Sequence, residues 1–180
     1  MGLSGDTKEK PLHLVAELLE RENVPYALIG GMAVQLHTRE RRNTRDINLA
    51  VPAYADIPRD ALVRAGFEHT GRHAHSDNWL APGSGSHKER TPVQFSAEEA
   101  ALIGAIVRAR VIDVGGVRLS LVAASDLIAL KLAAEEEPTH RPSKREHDVA
   151  DIVALIEEHP DTTSVVPELA ERLQRIRART

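Results

Sequence analysis

Between Tyr26 and Val51 the chain spaces two glycines, four arginines and an aspartate in a way that suits phosphate chemistry. An apolar run, Tyr26 to Ile29, ends at Gly30 and Gly31. Glycines after a strand let backbone N–H groups approach an anion with no Cβ in the way. A helical pattern follows, with Met32, Val34 and Leu36 among Ala33, Gln35 and His37. Its opening end would add the positive pole of a helix dipole. Arg39, Arg41, Arg42 and Arg45 then form a basic loop that delivers Asp46, Ile47 and Asn48 to a second apolar run. Arginine forks match phosphate oxygens. An aspartate beside the same anion needs a cation between them. The plainer alternative is a turn followed by a solvated loop.

The order of these residues carries more than each alone. Gly30-Gly31, then Arg42, Thr44, Asp46 and Ile47, resembles the nucleotidyltransferase superfamily, in particular its small members related to AbiEii-type toxins and lincosamide nucleotidyltransferases. Two later segments extend the likeness. Ser125 to Ala134 contains DLIALKLAA, and REHDVAD, Arg145 to Asp151, has His147 where the family usually has lysine. The resemblance spans residues 12–158.

The resemblance implies a nucleoside triphosphate held by Gly30, Gly31, Arg42, Thr44 and Arg45. It implies catalytic roles for Asp46, Lys131 and Asp148, and Mg²⁺ held by three acids. Asp46 fills the first metal position. The second falls on Asn48, and the third, on the strand before Ser96, falls on Gln94. Amides keep the shape of the acids and lose two charges. At an effective dielectric near 20, each carboxylate offers a divalent ion several kcal/mol before desolvation is subtracted. Impaired or absent metal catalysis is therefore expected. Without a metal, Arg42 and Arg45 are the cations available to Asp46.

Lys131 also admits a plain role, snorkelling from an apolar helix. Asp148 and Asp151 lie three residues apart, so they share a helix face, and the plain expectation is a surface pair. His69, His73 and His75 invite a zinc reading, yet no fourth ligand is evident. The stretch Gly71 to Ser76 is expected to be a mobile, solvated loop.

Composition narrows the class. The 180 residues are 42% hydrophobic and 3% aromatic, so a core of Leu, Val, Ile and Ala is expected. A net charge of −4 argues against a generic nucleic-acid binder. The absence of cysteine excludes disulfides and thiolate metal sites. No apolar run is long enough to span a membrane, and no signal-peptide pattern opens the chain, so a cytoplasmic protein is expected.

The elements that must position these residues follow from pattern. Residues 1–10 read as a loose tail, and Pro11 opens a helix carrying Leu12, Val15, Leu18 and Leu19. Arg59 to Ala65 is a short helix closed by Gly66. Phe67 to His69, Asn78 to Leu80 and Thr91 to Phe95 read as strands, and Pro82 to Arg90 as a flexible loop. Ser96 and Glu99 form a capping-box pattern that predicts a helix from Ala97. Val111 to Val114, Gly115-Gly116 and Val117 to Val122 predict a hairpin. Ser125 is the expected cap of the next helix. Lys144 to His159 and Pro167 to Arg179 complete a helical C-terminal third.

The expected fold is α/β (α+β), a nucleotidyltransferase-like mixed sheet flanked by helices. Residues 1–10 form a tail, 11–124 the α/β core, and 125–180 a helical region packed on it. Two function classes remain. One is a nucleotide-binding transferase with weak metal chemistry. The other is a non-catalytic relative acting as a regulatory or toxin–antitoxin-type partner. The acceptor stays open among a small molecule, a protein side chain and an RNA end. A protein partner or a second copy of the chain is allowed.

Overall fold

The computed structural model describes residues 8–40, 44–136 and 142–165, together with Glu171. Helix α1 (Glu9–Arg21) leads into β1 (Ala27–Ile29), α2 (Gly30–Thr38) and β2 (Ile47–Ala50). A 3₁₀ turn (Tyr54–Asp56) and α3 (Arg59–Arg64) precede β3 (Glu68–His73), β4 (Ser76–Leu80) and β5 (Pro92–Ser96). Then come α4 (Ala100–Arg108), β6 (Arg110–Val114), β7 (Val117–Leu121), α5 (Ala124–Glu136), α6 (Pro142–Glu158) and α7 (Thr162–Val165). The strands form one mixed sheet in the order β3-β4-β5-β2-β1-β7-β6. β1 pairs antiparallel with β2 and parallel with β7, and β2 runs parallel to β5. This is the mixed sheet flanked by helices that the sequence predicts.

Period-2 alternation explains the two faces of the central strands. Ile47, Val93 and Trp79 are register partners, as are Leu49, Phe95 and Asp77, and all six are buried. The residues between them, Asn48, Gln94 and Asn78, are also register partners, and all three are half-buried. One face therefore builds the core and the other carries a row of carboxamides. α1 lies against β7 and touches α3. α1 buries Leu12, Val15, Leu18 and Leu19, the positions its helical period selects.

Three local expectations are corrected. The helix after β5 begins at Ala100, not Ala97, and Ser96 makes no cap. Ser96 pairs with Ala50 on β2, and its carbonyl accepts the Val51 N–H, so the strand must finish before the helix starts. Ser125 lies inside the first turn of α5, which starts at Ala124. The stretch Gly71 to Ser76 is not a loose loop: β3 and β4 form a hairpin across it. Asp77, wholly buried on β4, holds that hairpin. Its carboxylate accepts from the Trp79 indole at 2.6 Å and from Arg59 on α3 at 2.6 Å, with His69 at 3.2 Å. Burying a carboxylate is tolerable only with such partners. At the N-terminus, α1 begins at Glu9, with Pro11 in its first turn. The predicted last helix, 167–179, lies outside the described residues except for Glu171.

The helical layer over α2 is held by a second buried charge cluster. Lys131 on α5 and Asp148 and Asp151 on α6 are each under a tenth exposed. The Lys131 ammonium donates to Asp148 at 2.8 Å and meets Asp151 at 2.7 Å. The pair on α6 is thus an interior one, which corrects the expected surface pair, and Lys131 does not snorkel to solvent. Packing turns the shared helix face toward α5, and a buried lysine needs counter-charge. Lys131→Met removes the ammonium that both buried carboxylates meet and is expected to cost about 3–5 kcal/mol in urea unfolding. Adding Asp148→Asn in that background should return part of the loss. A fully stable Lys131→Met protein would refute the brace.

Candidate phosphate-binding site

The site begins where β1 stops. Gly30 has φ +70, a left-handed conformation that favours glycine. It is also covered: a Cβ built there would lie 2.9 Å from Asn48 Nδ2 and 3.1 Å from Asn48 Cβ. Gly31, the second residue of α2, is crowded differently. A Cβ there would collide with the Thr44 methyl carbon. The glycine pair therefore lets the returning chain, Thr44 to Asn48, lie directly on the turn and the first turn of α2. Thr44 also donates its hydroxyl to the Met32 sulfur at 3.2 Å.

Asp46 immediately precedes β2 and is half-buried. Asn48 follows two residues later, and Gln94 is its register partner on β5. Among the described residues, the side chains of Asp46, Asn48 and Gln94 make no hydrogen bond or ion pair, so the fold leaves their polar atoms uncommitted. Arg45 is exposed beside them. Arg42 lies outside the described residues. Tertiary structure thus brings Gly30, Gly31, Thr44, Asp46, Asn48 and Gln94 together. Lys131 and Asp148 belong to the α5–α6 brace, and α2 touches both of those helices.

Two features were not singled out in the sequence. Asn78 extends the carboxamide row by one strand, but its Nδ2 already donates to the Gly71 carbonyl at 3.3 Å and to Ser76 at 3.2 Å. Alternation in Asp77-Asn78-Trp79 signals its face; its alignment with Gln94 needs the register. The other is a pair of imidazoles. His37, near the end of α2, donates from Nε2 to the Val122 carbonyl at 2.8 Å. Its Nδ1 lies 3.2 Å from His159 Nε2, just past the end of α6. The carbonyl can only accept, so Nε2 carries the hydrogen of neutral His37 and Nδ1 is left as the acceptor. Burial lowers the His37 pKa most; the Val122 carbonyl opposes this and His159 adds to it. Among the described residues, no group of three or more His, Asp or Glu side chains could hold a metal ion.

Several solved structures share this architecture. An antigenic nucleotidyltransferase-like protein from Paracoccidioides brasiliensis matches with a TM-score of 0.62 and 17% identity, over 96% of this chain and 94% of that one. The antibiotic-resistance factor ANT(2'')-Ia matches at 0.59 and 15% identity, over 97% and 94%. The lincosamide adenylyltransferase LnuA, solved with lincomycin, matches at 0.55 and 15% identity, over 82% and 97%. No protein-family model and no curated protein matches the chain. At these identities the likeness defines the fold: the chain has the nucleotidyltransferase fold.

Two outcomes follow from the geometry. Gly31→Ala should gain helix propensity yet lose about 1–3 kcal/mol through overpacking against Thr44. Thr44→Ser deletes the offending methyl, so the double variant should recover most of that loss in a thermal-melt cycle. Additive effects would mean the two residues do not touch. For His37, the folded pKa lies below the ordinary 6.5, so the unfolded chain binds the extra proton more readily. Its stabilising contribution is whole above 6.5 and is lost as pH falls through the lowered folded value. His37→Gln should therefore show a shallower fall in melting temperature between neutral and mildly acidic pH than the natural protein. Parallel curves would contradict this.

Proposed function

We propose that this chain binds a nucleoside triphosphate at the Gly30–Gly31 turn, with NMP transfer weak or absent. The observation that carries the proposal is the placing of the turn: Gly30, at φ +70, opens α2 against Asn48, beside the half-buried Asp46. Backbone N–H groups at such a turn favour an anion. Arg45, and Arg42 of the same loop, would supply guanidinium contacts, and Thr44 holds the loop on α2. Support also comes from the solved neighbours. One structure of ANT(2'')-Ia holds adenylyl-2''-tobramycin, and LnuA is an adenylyltransferase.

Mg²⁺, which the resemblance implies, prefers charged oxygen ligands in octahedral geometry. The set here is one carboxylate, Asp46, and two carboxamides, Asn48 and Gln94. That set does not fit a two-metal site. No transfer step is therefore derived through a metal. Lys131 and Asp148 act by positioning α5 and α6 over α2. Loss of two acids also favours the second reading, a non-catalytic nucleotide-binding or partner-binding protein of this fold.

Calorimetry with ATP, GTP, CTP and UTP at low and high salt tests the proposal. Binding of at least one triphosphate, weakened by salt, is expected, because the proposed guanidinium contacts are charge–charge contacts. A labelled-NTP assay should detect little or no transfer. Absence of binding by any triphosphate, with or without Mg²⁺, would defeat the proposal. Rapid transfer would reject the non-catalytic reading.

A further inference from the structure

We infer that Asn48 and Gln94 are direct phosphate donors, and that the site takes a nucleotide's polyphosphate in its metal-free form. This rests on the nucleotide-binding proposal above and gives the amides a positive role in it. The two carboxamides are register neighbours on parallel strands β2 and β5, and neighbouring strands lie about 4.8 Å apart. Both are half-buried, and the fold uses neither. Asn78, the third in the row, is excluded because the β3–β4 hairpin consumes its N–H₂ group.

The chemistry of the exchange sets the ligand. A carboxylate has no hydrogen to donate, so it reaches a phosphate only through a cation. A carboxamide of the same shape carries two N–H donors and no charge. With acids at positions 48 and 94, the cluster with Asp46 would hold three negative charges and would repel polyphosphate unless metal intervened. With amides, Asp46 is the one acid left among the three positions, and the residue before it is Arg45. Asn48 also lies against Gly30, the start of the N–H-presenting turn. Turn and carboxamide can therefore address the same phosphate oxygens. Mg²⁺ bound to the polyphosphate would occupy those oxygens and compete with the site.

The probes are inorganic tripolyphosphate and ATP, each titrated in chelator and then with saturating Mg²⁺. The natural protein should bind both in chelator, and Mg²⁺ should weaken binding about tenfold, the size expected when a hydrogen bond to a charged group is lost. Asn48→Ala removes donors without adding charge, and should lose about tenfold in chelator. Asn48→Asp and Gln94→Glu should lose more, and the double variant should bind only with Mg²⁺. Melting temperatures check that each variant is folded. Binding by the natural protein that requires or is strengthened by Mg²⁺ overturns this inference while nucleotide binding stands. Unchanged affinity in folded Asn48→Ala and Gln94→Glu also overturns it. No binding under either condition defeats both proposals.

Discussion

The close approach of β2 to the β1–α2 turn is the constraint on which the site depends. Asn48 sits on Gly30, and the Thr44 methyl sits on Gly31. Side chains at positions 30 and 31 would push the returning chain away. β2 is also the strand that joins the two halves of the sheet, pairing with β1 on one side and β5 on the other. A shift of β2 would therefore move Asp46, Asn48 and Gln94 relative to one another and break the hydrophobic register beneath them. Site geometry and sheet integrity share one contact.

Among the described residues, buried charge appears at two places, and each is matched. Asp77 draws Arg59, His69 and Trp79 together and so couples α3 to the β3–β4 hairpin. Lys131 draws Asp148 and Asp151 together and so couples α5 to α6. Such clusters add little net stability over well-packed apolar groups, because desolvation opposes the attraction. Their effect is directional: each specifies which helix meets which neighbour. The imidazole pair of His37 and His159 does the same for the far ends of α2 and α6, through bonds that depend on protonation.

Two carboxamides, Asn48 and Gln94, sit side by side on the central strands. Amides and acids of equal shape pack alike, so β2 and β5 would keep their pairing with either type at positions 48 and 94. Among solved structures of similar fold, LnuA is a lincosamide antibiotic adenylyltransferase and ANT(2'')-Ia is seen with adenylyl-2''-tobramycin. In this chain the sheet face carries the carboxamides Asn48 and Gln94, which can donate as well as accept hydrogen bonds.

Much of this was legible in the linear chain because it rests on local rules. Helical period placed Leu12, Val15, Leu18 and Leu19 in the core; the Gly115-Gly116 pair placed the β6–β7 hairpin; and the order of Gly30-Gly31, Thr44 and Asp46 pointed to the fold. Residue type alone also established that positions 48 and 94 carry amides. What needed tertiary structure was everything set by distant partners. Ser96 looked like a helix cap, and pairing with β2 kept it in a strand. The stretch Gly71 to Ser76 looked loose, and buried Asp77, with Arg59 and Trp79, made it a hairpin. Asp148 and Asp151 looked solvent-facing, and packing of α6 on α5 buried them around Lys131. That Asn48 and Gln94 are neighbours, and that Asn48 rests on Gly30, depends on strand register, which no short window of sequence contains. Local sequence decides which conformation a segment prefers; long-range contacts decide which face it buries and which charges it must neutralise.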